Sequence, residues 1–327
     1  MRYGRIEGVP RPVSRIVQGG MMLRPGDGQA AADALLDAAL ETGIVAFDLA
    51  HIYGGGACER AFGDWMRRRA NRDRVVILDK GCHPSGALRR VTPACIESDL
   101  GDSLGRLGTD RIDIWMFHRD DPAQPVGPLM ETLARAVEEG KIGVFGGSNW
   151  TVPRIREARA YCREHGLPPF AANSPNYGLA EQIQSPWGPD CVTISGPRHA
   201  GDREWHRREG LPVFAWSSLA RGFFSGRLSR SNLEQVKGRF EEETIRCYVC
   251  EDNLRRLDRV ERLAARRGLT VPQVALAFVL NQPFDVYALV GAMNPAEVRE
   301  NARVADLVLS PAELAWLDLQ TDAEPGA

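Results

Sequence analysis

Val75-Val76-Ile77-Leu78-Asp79-Lys80 is a short apolar run ending on two charges; an amphipathic stretch follows at 93–107, then Ile112-Asp113-Ile114-Trp115-Met116-Phe117-His118. The pattern reads as strand, helix, strand. Thr92 stands as an N-cap and Pro93 at the first helical position, where its missing N–H costs nothing. Working outward, the same rhythm fills the chain. Strands are expected at 15–19, 45–48, 75–79, 112–117, 143–147, 170–173, 213–216 and 286–290. Helical periodicity lies between them at 30–42, 93–107, 129–139 and 152–165, each followed by a glycine suited to a C-cap or by a short polar turn. Such alternation predicts a parallel sheet covered by helices. No Gly-x-Gly-x-x-Gly follows the first strand, which sets aside the dinucleotide-binding doubly wound sheet. The expected fold is α/β, a (β/α)8 TIM barrel forming one domain over 1–327. Two segments break the rhythm, 182–200 with Pro186, Trp187, Pro189 and Pro197, and 222–250. Both are expected as long loops at the C-terminal face, where barrels build their sites.

Composition narrows the function. The 327 residues are 43% hydrophobic with a net charge of −2, and no basic stripe interleaved with aromatics marks a nucleic-acid partner. No apolar run approaches the roughly 18 residues needed to cross a bilayer, and the polar start, 1–15, lacks the apolar stretch of a signal peptide. The seven cysteines are scattered, which argues against a disulfide framework and for a reducing cytoplasm. Cys247 and Cys250 form one close pair, without a second pair at metal-ligand spacing. A small molecule is the expected partner. Only Lys80, Lys141 and Lys237 are lysines among 41 basic residues, so each lysine invites a reason that arginine could not serve.

Titratable residues collect where strands end: Asp48 after Phe47, Lys80 after Asp79, His118 after Phe117. Tyr53 lies in the loop Ala50-His51-Ile52-Tyr53-Gly54-Gly55-Gly56, whose glycines permit a tight fold over the barrel mouth. Each residue also has a plain structural reading. Asp48 and Lys80 suit an ion pair, His118 an ordinary loop histidine, Tyr53 a cap on the core. Their joint occurrence at the ends of three successive strands favours chemistry.

Phe47-Asp48-Leu49-Ala50-His51-Ile52-Tyr53-Gly54 resembles the aldo-keto reductase segment that supplies that family's aspartate and tyrosine, and Lys80 and His118 fall where the family has its lysine and histidine. Gly147-Ser148-Asn149 is similar to its cofactor-amide motif, 213–222 to the segment whose aromatic residue packs on nicotinamide, and 291–301 to the one that holds the adenosine phosphate. The resemblance covers nearly the whole chain. It implies carbonyl reduction with Asp48, Tyr53, Lys80 and His118 as the reacting set. A free phenol with a pKa near 10 is a poor acid at neutral pH. A cation beside it brings that value down. Lys80 fits that role, Asp48 would hold it, and His118 would orient the substrate oxygen.

The resemblance also implies cofactor contacts. Ser148 and Asn149 suit the carboxamide, and Ser174 stands where relatives often carry glutamine. Trp216 offers a flat face for the nicotinamide, against a plain reading as a core ring. Ser217, Leu219 and Arg221 would line the wall, with 222–226 wrapping the pyrophosphate. Gly291, Met293, Glu297, Glu300 and Asn301 fall at the adenosine end. Met293 replaces an arginine, while Arg299 and Arg303 remain. NADP(H) is the expected cofactor, with NAD(H) the alternative. Met22, His51, His83, Trp115, Trp150 and Trp187 are expected to line the substrate pocket. The Trp187 loop and a second histidine beside the tetrad tilt the substrate toward a polyhydroxy, keto-sugar or glycoside type. Competing readings are a barrel lyase, isomerase or glycosidase, and a nucleotide-binding regulatory subunit without turnover.

Overall fold

The computed structural model describes residues 1–326, so Ala327, the last residue of the expected domain, lies outside the described residues. Eight parallel strands close into a barrel: Ile16–Gly19, Ala46–Asp48, Val76–Gly81, Ile112–Phe117, Ile142–Ser148, Phe170–Ser174, Val213–Ala215 and Val286–Val290. All the expected strands are present, with ends displaced by two residues at most. Contacts divide the chain into two compact units, Met1–Ser174 with Gly291–Arg299, and Pro175–Val290 with Glu300–Ala327.

In the first unit, local chemistry sets the helix ends. Thr92 accepts a hydrogen bond from the Cys95 N–H at 3.3 Å, Pro93 opens helix Pro93–Leu107, and Gly108 closes it in the left-handed conformation. Helix Val126–Glu138 starts three residues ahead of the expected 129, because Pro125 is extended and Pro128 fits the first turn, where a missing N–H is harmless. Helix Ala57–Arg69, which the sequence pattern did not single out, ends on three arginines and still buries Phe62, Trp65 and Met66. A short antiparallel pair, Tyr3–Gly4 with Val13–Ser14, precedes the barrel. Its connecting Gly8 sits so close to Val144 that a Cβ would lie 2.5 Å from that side chain.

Register fixes what each strand offers. Lys80 pairs with Met116 and Met116 with Gly146, whereas Asp79 pairs with Trp115 and Trp115 with Phe145. Successive side chains on a strand take opposite faces. Lys80 and Met116 therefore share one face, and Asp79 and Trp115 share the other. The second face is the helix layer, since a Cβ on Gly81, two residues beyond Asp79, would meet Trp115 and Asp99 of helix Pro93–Leu107.

The second unit holds the pair Val213–Ala215 and Val286–Val290 and two long helices, Glu251–Arg267 and Val271–Leu280. The first of the two long loops, 182–200, is irregular apart from a single turn at Pro197–His199. The other expectation is corrected: 222–250 contains helices Leu233–Val236 and Glu242–Tyr248. At four and seven residues these are too short to show periodicity. Arg259, buried, ties the C-terminal tail down by donating to the Trp316 and Thr321 carbonyls at 2.5 and 2.7 Å.

Candidate active site

The four residues singled out at the strand ends belong to the first unit. Lys80 donates to Asp48 Oδ1, and to the Leu49 carbonyl at 2.7 Å. Its nitrogen lies 5.2 Å from the centre of the Tyr53 ring. The Tyr53 and His118 rings meet edge to face at 5.7 Å. Hydrogen bonding between neighbouring strands continues past their ends and fixes this rim. His51 N–H donates to the Lys80 carbonyl and His118 N–H to the Gly81 carbonyl, each at 2.8 Å. The loop after Tyr53 turns on three successive glycines, Gly54, Gly55 and Gly56, with φ of 57°, 60° and 83°. Arg106 holds that loop, donating to the His51 carbonyl at 3.0 Å and to Glu59 at 2.8 Å.

Electrostatics differ from the sequence expectation at one group. Burial pushes the Tyr53 phenol up to about 12; the Lys80 charge pulls the other way but Asp48 opposes it. The expected lowering by the ammonium is thus outweighed by desolvation, and the phenol is protonated at neutral pH. Burial is the largest influence on the Lys80 ammonium and works against it, yet Asp48, through its charge and its hydrogen bond, together with Tyr53 and Asp79 outweighs it and leaves the pKa above the usual lysine range. Burial, with Lys80 and Arg119 nearby, drives His118 well below the usual histidine range, so its ring is neutral. Asp79 faces the helix layer, where burial and Glu59 raise its pKa well above the carboxylate range. It offers the mouth no second carboxylate of the kind a glycosidase needs.

Of the pocket residues, Met22 is half-buried and approaches Gly291, where an added Cβ would lie 3.6 Å from its side chain. His83 is half-buried, with its ring centre 4.7 Å from that of His118. Its Nδ1 bonds the Pro84 carbonyl at 2.8 Å. Three expectations are corrected. His51 turns its Nε2 to Asp102 at 3.1 Å and toward Asp99 at 3.7 Å, on helix Pro93–Leu107. Trp115 has no exposed surface because strand parity sends it into the helix layer. Trp150 is equally enclosed, stacked on Phe117 at 5.2 Å and packed on Phe170 at 5.1 Å over the bare Cα of Gly147. The sequence reading missed Asp99, which accepts from Cys82 N–H at 2.7 Å and binds Arg90 at 2.5 Å. It also missed Arg119, buried and donating to the His118 carbonyl at 2.8 Å. Adjacency to His118 was the available signal for Arg119; nothing local marked Asp99.

Residues suited to a carboxamide close the first unit's strand ends. Ser148 Oγ donates to the Ser174 carbonyl at 2.9 Å, and Asn149 Nδ2 donates to Ser148 Oγ at 3.0 Å and to the His118 carbonyl at 3.2 Å. Asn149 is left-handed, with φ of 61°. Glu297 starts helix Pro295–Ala302: it accepts from the Met293 N–H at 2.9 Å and from Asn294 Nδ2 at 3.0 Å, while its own N–H donates to Asn294 Oδ1. Its carboxylate is engaged by the helix start, and Met293 is exposed.

In the second unit, Trp216 packs against Trp187 at 5.5 Å, and the Arg221 guanidinium lies 4.7 Å over the Trp187 ring while bonding Glu241. Trp216 Nε1 and Arg221 Nε are enclosed without a partner among the described residues. Ser217, Ala220, Arg221 and Gly222 all have positive φ, between 49° and 91°, with Leu219 in the same stretch. Non-glycine residues in that conformation carry strain that gathers at functional sites, and alternating backbone hands make concavities that hold anions. Such a stretch fits a phosphate-bearing ligand. Glu300 accepts from Gln273 at 2.6 Å and pairs with Arg303 at 3.4 Å, and Asn301 follows it, half-buried. All seven cysteines are free thiols, Cys247 buried and Cys250 partly exposed.

Residues 15–319 match the Aldo/keto reductase family. L-glyceraldehyde 3-phosphate reductase of Escherichia coli is 29% identical over 301 residues, 87% of this chain and 82% of that one. A probable voltage-gated potassium channel subunit beta of rice is 25% identical over 309 residues, 90% of this chain and 88% of its own. A crystal structure of an aldo-keto reductase from Klebsiella pneumoniae in complex with NADPH superposes with a TM-score of 0.72 at 26% identity, covering 98% of this chain and 95% of that one.

Proposed function

This chain belongs to the aldo/keto reductase family, and on that premise we propose that it reduces aldehydes and ketones as a single barrel domain, with Tyr53 as the proton donor and NADP(H) as the cofactor. The observation that carries the reading is the buried Asp48–Lys80 pair beside a protonated Tyr53 and a neutral His118. Reduced nicotinamide, when bound, supplies hydride to the carbonyl carbon. The carbonyl oxygen gathers charge at the same moment and needs a donor. Tyr53 meets that need because its proton is in place at neutral pH, while the fixed ammonium of Lys80 stabilises the phenolate left behind. Asp48 keeps that ammonium charged and stationary. His118, being neutral, donates a hydrogen bond to the oxygen without competing for the proton.

Ser148 and Asn149 are assigned to the carboxamide, with Ser174 beside them. Trp216 takes the nicotinamide face, and Ser217, Leu219 and Arg221 the phosphates. Gly291, Met293, Glu300 and Asn301 are assigned to the adenosine end. The NADPH bound to the Klebsiella relative supports NADP(H) over NAD(H). Arg299 and Arg303 are the guanidinium groups nearest Met293 in sequence. Each is exposed and, among the described residues, paired with a surface carboxylate, Glu41 at 3.3 Å and Glu300 at 3.4 Å, pairs weak enough to exchange for a phosphate. The substrate rim carries Met21 and Ile52, both exposed, next to Met22 and Tyr53.

The test is direct. Purified protein should bind NADPH more tightly than NADH, with quenching of tryptophan fluorescence, and should reduce 4-nitrobenzaldehyde. Binding without turnover on any carbonyl would favour the regulatory role suggested by the channel-subunit relative. No nucleotide binding would sink both readings.

A further inference from the structure

Resting on the reductase reading, we infer that His83 is a specificity-determining residue that, together with His118, selects substrates bearing a hydroxyl on the carbon next to the carbonyl. A backbone carbonyl only accepts, so the bond between His83 Nδ1 and the Pro84 carbonyl at 2.8 Å places the ring proton on Nδ1. A neutral His83 therefore presents Nε2 as an acceptor, and that atom has no partner among the described residues. Burial keeps the ring neutral, and Arg119 and Arg90 nearby oppose any added positive charge.

His118 supplies the complement. It is buried and neutral, and its Nδ1 is enclosed without a partner among the described residues. In the proposed reaction it donates to the carbonyl oxygen. The two ring centres are 4.7 Å apart and the planes cross at 80°. One imidazole donates and the next accepts, over a span that two oxygens on adjacent carbons can bridge at ordinary hydrogen-bond lengths, about 2.7–3.2 Å. A carbonyl oxygen and an α-hydroxyl match that order of acceptor and donor. An α-dicarbonyl does not, because neither oxygen can donate to His83. His51, the other histidine of this region, is held by Asp102 and Asp99 and takes no part.

The experiment compares 2-hydroxyacetophenone with 2-fluoroacetophenone, which is activated and nearly the same size but has no hydroxyl proton. Wild-type enzyme should show kcat/KM about tenfold higher on the hydroxyketone, the worth of one well-placed hydrogen bond. His83→Phe should bring the ratio close to one by lowering only the hydroxyketone value. His83→Gln, which keeps an acceptor, should recover part of it. Because the readout is a ratio within one preparation, partial loss of folded enzyme cancels. A wild-type ratio near one, or a ratio untouched by His83→Phe, overturns the assignment. Failure of the wild type to reduce 4-nitrobenzaldehyde would instead overturn the reductase reading beneath it.

Discussion

The rim that carries Tyr53 and the loop that carries Trp216 solve opposite problems. At the first, polar groups are buried and engaged: Lys80 and Asp48 are 3% and 5% exposed and bonded to each other, on strand ends tied by backbone bonds. At the second, Trp187 is 47% exposed, Arg221 rests on its ring, and the backbone is held in left-handed conformations that side chains resist. In the proposed reaction, strand ends tied by backbone bonds place the groups assigned to one carbonyl oxygen. A strained, partly open loop carries those assigned to the larger cofactor. The lesson is a division of labour between precision and adaptability, and each substitution below probes one side of it.

The largest effect should come from Tyr53→Phe, which removes the proposed proton donor and keeps the ring. Turnover should fall about 10²–10⁴-fold or more, with NADPH affinity, read by fluorescence titration, unchanged. An equal loss of affinity would erase the distinction between the two regions. Next, Asp48→Ala leaves the Lys80 charge buried and unpaired, and chemical denaturation should show a loss of about 3–5 kcal/mol. Trp216→Ala should weaken cofactor binding about tenfold through lost stacking, while the denaturation midpoint moves little. A smaller change is expected for Ala220→Gly, which removes a left-handed Cβ and should stabilise the fold by about 1 kcal/mol; a destabilised variant would show that the loop is not strained.

The smallest expected effect is in the pH profile. Tyr53, raised to about 12 by burial, keeps its proton across the neutral range, and His118, depressed, stays neutral above its own low pKa. The reduction rate should therefore be flat from mildly acidic to mildly alkaline pH. Oxidation of an alcohol, which needs the phenolate, should rise with pH throughout. A break in the reduction profile near the usual histidine value would mean that His118 titrates in function.

Much of this was legible beforehand. The strand runs were short and apolar and alternated with helical periodicity, and the eight observed strands lie where that alternation put them. The residues of the proposed reacting set were picked out by position, each just past an apolar run or inside a glycine loop, and the family resemblance gave them their expected roles. Trp115 and Trp150 were misread because an aromatic near a strand end looks available until register assigns its face. Parity with Lys80 and Met116 would have excluded Trp115. The rank of His51 and His83 could not be read locally, since both are histidines near the tetrad and only distant carboxylates, Asp99 and Asp102, remove one of them.

By itself, the sequence determined the alternating parallel architecture and the residue types at the strand ends, because period-two and helical periodicities are local properties of the chain. The tertiary structure alone decided charge and direction: that burial outweighs Lys80 at Tyr53, that Glu297 is taken by a helix start, and that His83 bonds the Pro84 carbonyl beside His118 while His51 is taken by Asp102. Desolvation and hydrogen-bond partnership depend on groups far apart along the chain, and no local pattern records them.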